Sequence, residues 1–190
     1  MGALQPYFPV VVNNDGSLLP QVFTGGYLLS EEVKDLKLHA GLLKKARGRA
    51  STDHTGLAVI GGARESNNFW FAGADWKMTS DLKAQYYYGK LKDYYKQNFL
   101  GLNYALYSTK ESNLKTDIRY FKTTSIGANA SDEQRNNGYS VSGYTKNSKG
   151  EINNKTFSTA FIYNFIGHAI ILGYQEISDN SNFVQINQGG

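Results

Sequence analysis

Lys37 and His39, Asp75 and Lys77, and Asp117 and Arg119 stand two residues apart, and Lys45, Lys83 and Lys115 keep the same parity within their own segments. In an extended chain a spacing of two puts side chains on one face. These residues are therefore expected to form a row that is richer in bases than in acids. Cations along a narrow aqueous passage with low-dielectric walls lower the energy of an anion between them. Arg119 is the first candidate, because its planar fork can hold a carboxylate with two hydrogen bonds. Asp75 and Asp117 are expected to orient the cations by pairing with them.

Other chemistries lack their residues. His39, His54 and His168 are far apart and make neither an HExxH nor a His-x-His spacing, so no metal site is expected. Neither a GxSxG elbow nor a phosphate-cradling glycine loop occurs, and Gly61-Gly62 has no nucleotide-loop spacing. No enzyme activity and no cofactor are expected. The chain contains no cysteine, which removes disulfides and thiolate ligands. Its net charge of +4 is spread rather than blocked, so no nucleic-acid partner is expected.

The elements that would carry the charged row are strands. Aromatics make up 14% of the 190 residues, with 14 tyrosines and only 3 prolines, yet the mean hydropathy is −0.45. That pairing suits a sheet alternating aromatic and polar residues. Leu36, Leu38, Ala40 and Leu42 alternate with Lys37, His39, Gly41 and Leu43. The same parity holds for Trp70 to Met78, Leu82 to Tyr88, Leu100 to Leu106, Leu114 to Tyr120, Phe157 to Phe165 and Ile170 to Tyr174, with a weaker segment near Val22 to Ser30. That predicts about eight strands, most near the ~9–11 residues of a tilted membrane strand.

Short connections at Glu32–Asp35, Thr79–Asp81, Ser108–Asn113 and Ile166–His168 alternate with longer ones at Ala46–Asn67, Lys92–Asn98, Ser125–Lys155 and from Asp179 onward. Short turns at one end and long loops at the other are a membrane-barrel pattern. Trp70, Tyr88, Tyr120 and Tyr174 fall toward the long loops, and Trp76, Tyr104 and Phe165 toward the short turns, as two interfacial girdles would. The predicted fold class is all-β, a transmembrane antiparallel β-barrel. A β-sandwich, a self-contained eight-stranded barrel of structural or adhesive role, and a soluble lipocalin-like binder remain alternatives. The lipocalin-like binder would reverse the pattern, apolar inside and polar outside. No run of 18 or more apolar residues exists, so no membrane helix is predicted.

The stretch GALQPYFPVVVNNDGSLLPQVFTGG (Gly2 to Gly26) resembles the OprD family of outer-membrane porins. So do DLKLHAG (Asp35 to Gly41), DLKAQYYYGKLKDYYKQNFLGL (Asp81 to Leu102), LKTDIRYFKT (Leu114 to Thr123) and GHAIILGYQEISDNSNF (Gly167 to Phe183). The resemblance implies a bacterial outer-membrane location and a single partial barrel domain over 1–190, part of an eighteen-stranded barrel associating as a homotrimer. It implies passage of small anionic solutes, such as amino acids or aromatic acids, past a ladder of basic residues. It also makes 9–20, with Pro9, Asn13, Asn14, Asp15 and Pro20, an inward constriction loop, and 125–155 a long extracellular loop. Arg47 and Arg49 at a loop mouth would gather anions or meet lipopolysaccharide phosphates within the outer-membrane lipid. Met1 to Pro9 lack the basic and apolar regions of a signal peptide. Such a barrel needs one, so Met1 is expected not to be the natural start, and leading and trailing strands are expected beyond this stretch.

Overall fold

Alternation at a period of two becomes one antiparallel meander in the computed structural model, which describes residues 2–16, 19–49, 51–109 and 112–186. A nine-stranded sheet runs in the order β1 (Gly2–Leu4), β4 (Val22–Ser30), β5 (Leu36–Arg47), β6 (Phe69–Lys77), β7 (Leu82–Leu91), β8 (Tyr95–Thr109), β9 (Ser112–Ser125), β10 (Asn153–Phe165) and β11 (His168–Ile177). Between β1 and β4 the chain makes a separate two-stranded hairpin, β2 (Tyr7–Phe8) with β3 (Val11–Val12). The large sheet has one strand more than the sequence suggested, because the three-residue β1 is too short to show a period, and the hairpin adds two short strands.

Turns behave as their lengths demand. Between β10 and β11 only Ile166 and Gly167 remain, with φ of 42° and 75°. Two positive φ values give the turn whose twist matches a tight hairpin. Lys110 and Glu111, inside the expected Ser108–Asn113 turn, lie outside the described residues. The expected loop at Lys92–Asn98 is instead a connection at 92–94, and Lys96 and Asn98 are strand residues of β8. Two further loops are long: 48–68, and 126–152 with its short helical turns.

The two faces of the sheet meet different surroundings. On one face β2–β3 and residues 179–186 fold back over the strands, burying Val10, Val11, Leu43, Phe69, Phe71, Tyr87, Phe99, Val184 and Ile186. The other face is uncovered and apolar along cross-strand rows such as Leu38–Ala74–Tyr86–Leu100–Tyr120–Phe157 and Leu36–Trp76–Ala84–Leu102–Ile118. Leu100 and Leu172 are 58% and 65% exposed there. A lipocalin-like barrel would carry the reverse sorting. Bare apolar rows of this extent are stable against lipid and costly against water.

Small residues on the covered face have a geometric cause. Gly73 lies opposite Tyr87 and Gly41 opposite Phe71, and in each case the ring occupies the space a Cβ would need. At Gly89 an added Cβ would stand 3.1 Å from Val10 Cβ, so the inward hairpin also depends on that glycine.

Around the long loops a second core forms. Asn129 is fully buried, donates to the carbonyls of Tyr139 (2.7 Å) and Gly150 (3.0 Å), and accepts from the Ile152 amide at 2.9 Å. Tyr94, in the 92–94 connection, is also fully buried and donates to the Arg64 carbonyl. Burial pushes its phenol up to about 12.

In the complete barrel that carries these strands, spin labels at Leu36, Trp76, Tyr86, Leu102, Ile118 and Phe161 should be relaxed by a lipid-soluble quencher. Labels at Lys37, Lys83 and Arg119 should respond to a water-soluble one. The opposite assignment would refute the sorting of the faces.

Candidate functional site

Strand pairing brings residues far apart in sequence into one line on the covered face. Lys37 stands opposite Asp75, Asp75 opposite Gln85, Gln85 opposite Gly101, Gly101 opposite Arg119, Arg119 opposite Ser158, and Ser158 opposite Gln175. The next row toward the short turns is Lys77–Lys83–Asn103–Asp117. Lys115 lies one row further on. Lys77 and Lys83 are directly opposed, an unfavourable pairing of like charges unless an anion comes between them.

Lys45 does not join this face. A β-bulge shifts the β4–β5 register between Thr24 and Gly25, so Gly25 faces Leu43 while Thr24 faces Lys45. The extra residue reverses the parity beyond Leu43, and Ala46, not Lys45, is buried on the covered side. Arg47 stands opposite Val22, and Arg49 reaches beside Gly16 of the inward segment.

His39 is part of a buried relay and is not a free lining group. It is 8% exposed, its Nε2 lies 3.0 Å from Asp75 Oδ2, and its Nδ1 lies 2.7 Å from the Tyr27 hydroxyl. A carboxylate can only accept, so Nε2 carries the hydrogen; in the neutral ring Nδ1 then accepts from Tyr27. Asp75 also accepts from the Tyr87 hydroxyl at 2.9 Å and from Gln85 Nε2 at 2.7 Å. The Phe8 ring of the hairpin covers the relay, with centroids 5.1 Å from His39 and Phe71, 5.5 Å from Tyr27 and 5.8 Å from Tyr87.

Arg119 is oriented by Asp117 on its own strand. Its Nε donates to Asp117 Oδ1 at 2.9 Å and its Nη2 to Oδ2 at 2.6 Å, while the side chain stays 57% exposed. It borders a cavity of about 550 Å³ with Tyr7, Phe8, Gln85, Ser158 and Gln175. A cavity of about 630 Å³ at the short-turn end is lined by Lys37, Lys77, Lys83 and Asp75. There Lys37 is paired to Glu31 at 2.5 Å. Lys83 also borders a third space of about 380 Å³ with Lys115 and Asp117. The charged residues thus line consecutive spaces along one wall.

Pro9 lies on the inward hairpin, and Asn13 and Asn14 continue it: the Asn13 amide donates to the Pro6 carbonyl at 2.9 Å, and the Gln21 amide to the Asn14 carbonyl at 2.8 Å. Asp15 is exposed and Pro20 half-buried. Sequence reasoning missed Phe8, Tyr87 and Gln85, and it read the stretch beyond Asp179 as an outer loop. That stretch folds inward: Gln97 Nε2 donates to the Val184 carbonyl at 3.3 Å, and Gln185 Nε2 to the Pro9 carbonyl at 3.1 Å. The signal available was small, namely an apolar Phe183-Val184 following a polar run.

A family model described as outer membrane porin, OprD family, matches residues 1–190. Porin D of Pseudomonas aeruginosa is 27% identical over 189 residues, covering 99% of this chain and 39% of that protein. The crystal structure of P. aeruginosa OccK8 (OprE) superposes with a TM-score of 0.93 at 45% identity, over 99% of this chain and 49% of that one. That of P. aeruginosa OpdQ gives 0.82 at 36% identity, over 98% and 47%. The chain spans about half or less of the length of these relatives.

Two substitutions test the relay and its cover. Asp75→Leu leaves the partly buried donors of His39, Tyr87 and Gln85 without their acceptor, at about 1–3 kcal/mol for each group stranded. It should lower the unfolding temperature of the complete barrel in detergent by several degrees. Phe8→Ala should lower it as well by uncovering the relay; an unchanged unfolding temperature would mean that the hairpin ring adds nothing to the wall.

Proposed function

The chain belongs to the OprD family of outer-membrane porins, and from that premise we propose that its strands wall a channel for diffusion of small carboxylate-bearing nutrients, such as amino acids or aromatic acids. The observation that carries the reading is the cross-strand row from Lys37 and Asp75 to Arg119, Ser158 and Gln175, set against an inward hairpin. Each cation on this row or the next faces water because the other face of the same strand is apolar. A charge turned to lipid at mid-membrane costs ~2–4 kcal/mol.

The division of labour follows from the geometry. Lys37, Lys77 and Lys83 at the short-turn end, with Lys115 beside them, supply positive potential. Arg119 supplies directional binding, because Asp117 fixes its Nε–Nη2 edge and thereby the plane of the guanidinium. Ser158 and Gln175, in the same row, offer hydrogen bonds to the remainder of a solute. The segment around Pro9, Asn13, Asn14, Asp15 and Pro20 acts as the constriction, since β2–β3 seals its apolar side on the wall and turns its rim toward the cavity. The loop at 126–152 lies at the outer mouth. Asp75 serves structure more than conduction: its oxygens are held by His39, Tyr87 and Gln85.

In the full channel, Arg119→Ala should reduce flux of a small carboxylate about three- to tenfold, a range set by a charge-assisted hydrogen bond discounted for exposure. Flux of a neutral solute of similar size should change little. Lys37→Ala and Lys115→Ala should act in the same direction but more weakly, since an ammonium holds a carboxylate less rigidly. Salt at 1 M, where screening shortens to ~3 Å, should shrink the differences. Equal losses for both solutes in reconstituted membranes would make Arg119 a structural partner of Asp117 and nothing more.

A further inference from the structure

Among the described strand residues, the lysines of the uncovered face lie at one end. Lys90, Lys96, Lys122 and Lys155 all have the outward parity: their neighbours Gly89, Leu91, Tyr95, Gln97, Thr123, Asn154 and Thr156 are buried on the covered side. Lys90 stands directly opposite Lys96, and Lys122 directly opposite Lys155. Lys96 faces Thr124 and Lys122 faces Asn98, so the two pairs are joined diagonally across β8 and β9. The result is a run of four lysines on four consecutive strands, spanning roughly 14 Å at the ordinary strand spacing.

Like charges directly opposed on a sheet repel. Among the described residues none of these lysines has an ion pair within 4.0 Å. The outward acid next in the ladder, Glu176, accepts instead from the Tyr174 hydroxyl at 3.1 Å. The run lies on the long-loop side of the apolar rows. Beside it Trp70 and Tyr88 pack at 5.1 Å, and Tyr86 donates to Asn98 at 2.8 Å, as amphipathic rings do at a membrane interface. Toward the short turns the outward positions are Trp76, Leu102, Tyr104, Leu106, Leu114, Phe161, Tyr163 and Ile170, with no described strand lysine among them.

We propose that Lys90, Lys96, Lys122 and Lys155 form a docking surface for the phosphates of a diphosphorylated glycolipid in the outer leaflet, whose acyl chains lie over the apolar rows below. Charge complementarity selects an anion. The apolar rows beneath require that the anion carry a lipid tail. The confinement to the long-loop end places it in the leaflet that those loops overlie. Four cations over four strands suit a headgroup with two phosphates better than one with a single phosphate. The proposal rests on the membrane-spanning reading above, but not on the solute that the channel carries.

The test is native mass spectrometry of the complete porin in detergent with diphosphoryl lipid A, its dephosphorylated form and phosphatidylglycerol as probes. The variant K90Q/K96Q/K122Q/K155Q is compared with the wild type and with the inward variant K37Q/K83Q. Expected is at least tenfold weaker retention of diphosphoryl lipid A by the outward variant alone, little binding of the dephosphorylated form, and intermediate binding of phosphatidylglycerol. Wild-type retention by the outward variant overturns the proposal, as does equal retention of phosphorylated and dephosphorylated lipid. So does tighter binding of phosphatidylglycerol than of the glycolipid. Heat-modifiable migration establishes that the variant is folded. The ratio of carboxylate to neutral flux should be unchanged in the outward variant and lowered in K37Q/K83Q, so a failure of the lysine belt is distinguishable from a failure of the channel reading.

Discussion

A β-sheet that meets lipid on one side and water on the other has to satisfy every backbone group within its own ladder, and everything else here is arranged around that constraint. Antiparallel pairing from β4 to β11 does so continuously, with register shifts between Thr24 and Gly25 and between Tyr107 and Thr109. Once the ladder is fixed, the period of two assigns each side chain to one medium or the other. Trp70, Tyr86, Leu100 and Ile118 fall on the uncovered apolar face, while Lys37, Lys83 and Arg119 fall on the covered one.

The inner wall is built by fitting rings into places left by glycines. Tyr87 lies against Gly73, Phe71 against Gly41, and Val10 of the hairpin against Gly89. This close fit lets the 5–16 segment lie on the wall, with Phe8 capping the His39–Asp75 relay and Gln185 reaching the Pro9 carbonyl from the opposite end of the chain. The packing of the hairpin and that of the wall are therefore linked through the same few side chains. The hydrogen bonds that hold Asp75 also set the wall against which the hairpin rests.

Charge is sorted by height as well as by face. Toward the short turns the strand cations point inward, onto the covered face and its cavities. Toward the long loops Lys90, Lys96, Lys122 and Lys155 point outward, where only the membrane interface can meet them. A sequence-wide net charge of +4 conceals this division. It becomes visible only when parity is read together with position along each strand.

The strands and their faces were legible in the sequence because a two-residue period is a local property, and so were the connections apart from 92–94, which is short where a longer loop was expected. So were the parities of Lys37, Asp75, Lys83 and Arg119, each set by apolar neighbours one residue away. Three things were not. The bulge that turns Lys45 away depends on how β5 meets β4, and no residue on β5 alone announces it. The pairing of His39 with Asp75 joins positions 36 residues apart through strand register. The inward fold of 179–186 is fixed by Gln97, Asn154 and Pro9, all distant in the chain. Local chemistry decided which side of the wall each residue faces; register and docking decided which residues meet there, because contacts across strands are set by the whole ladder.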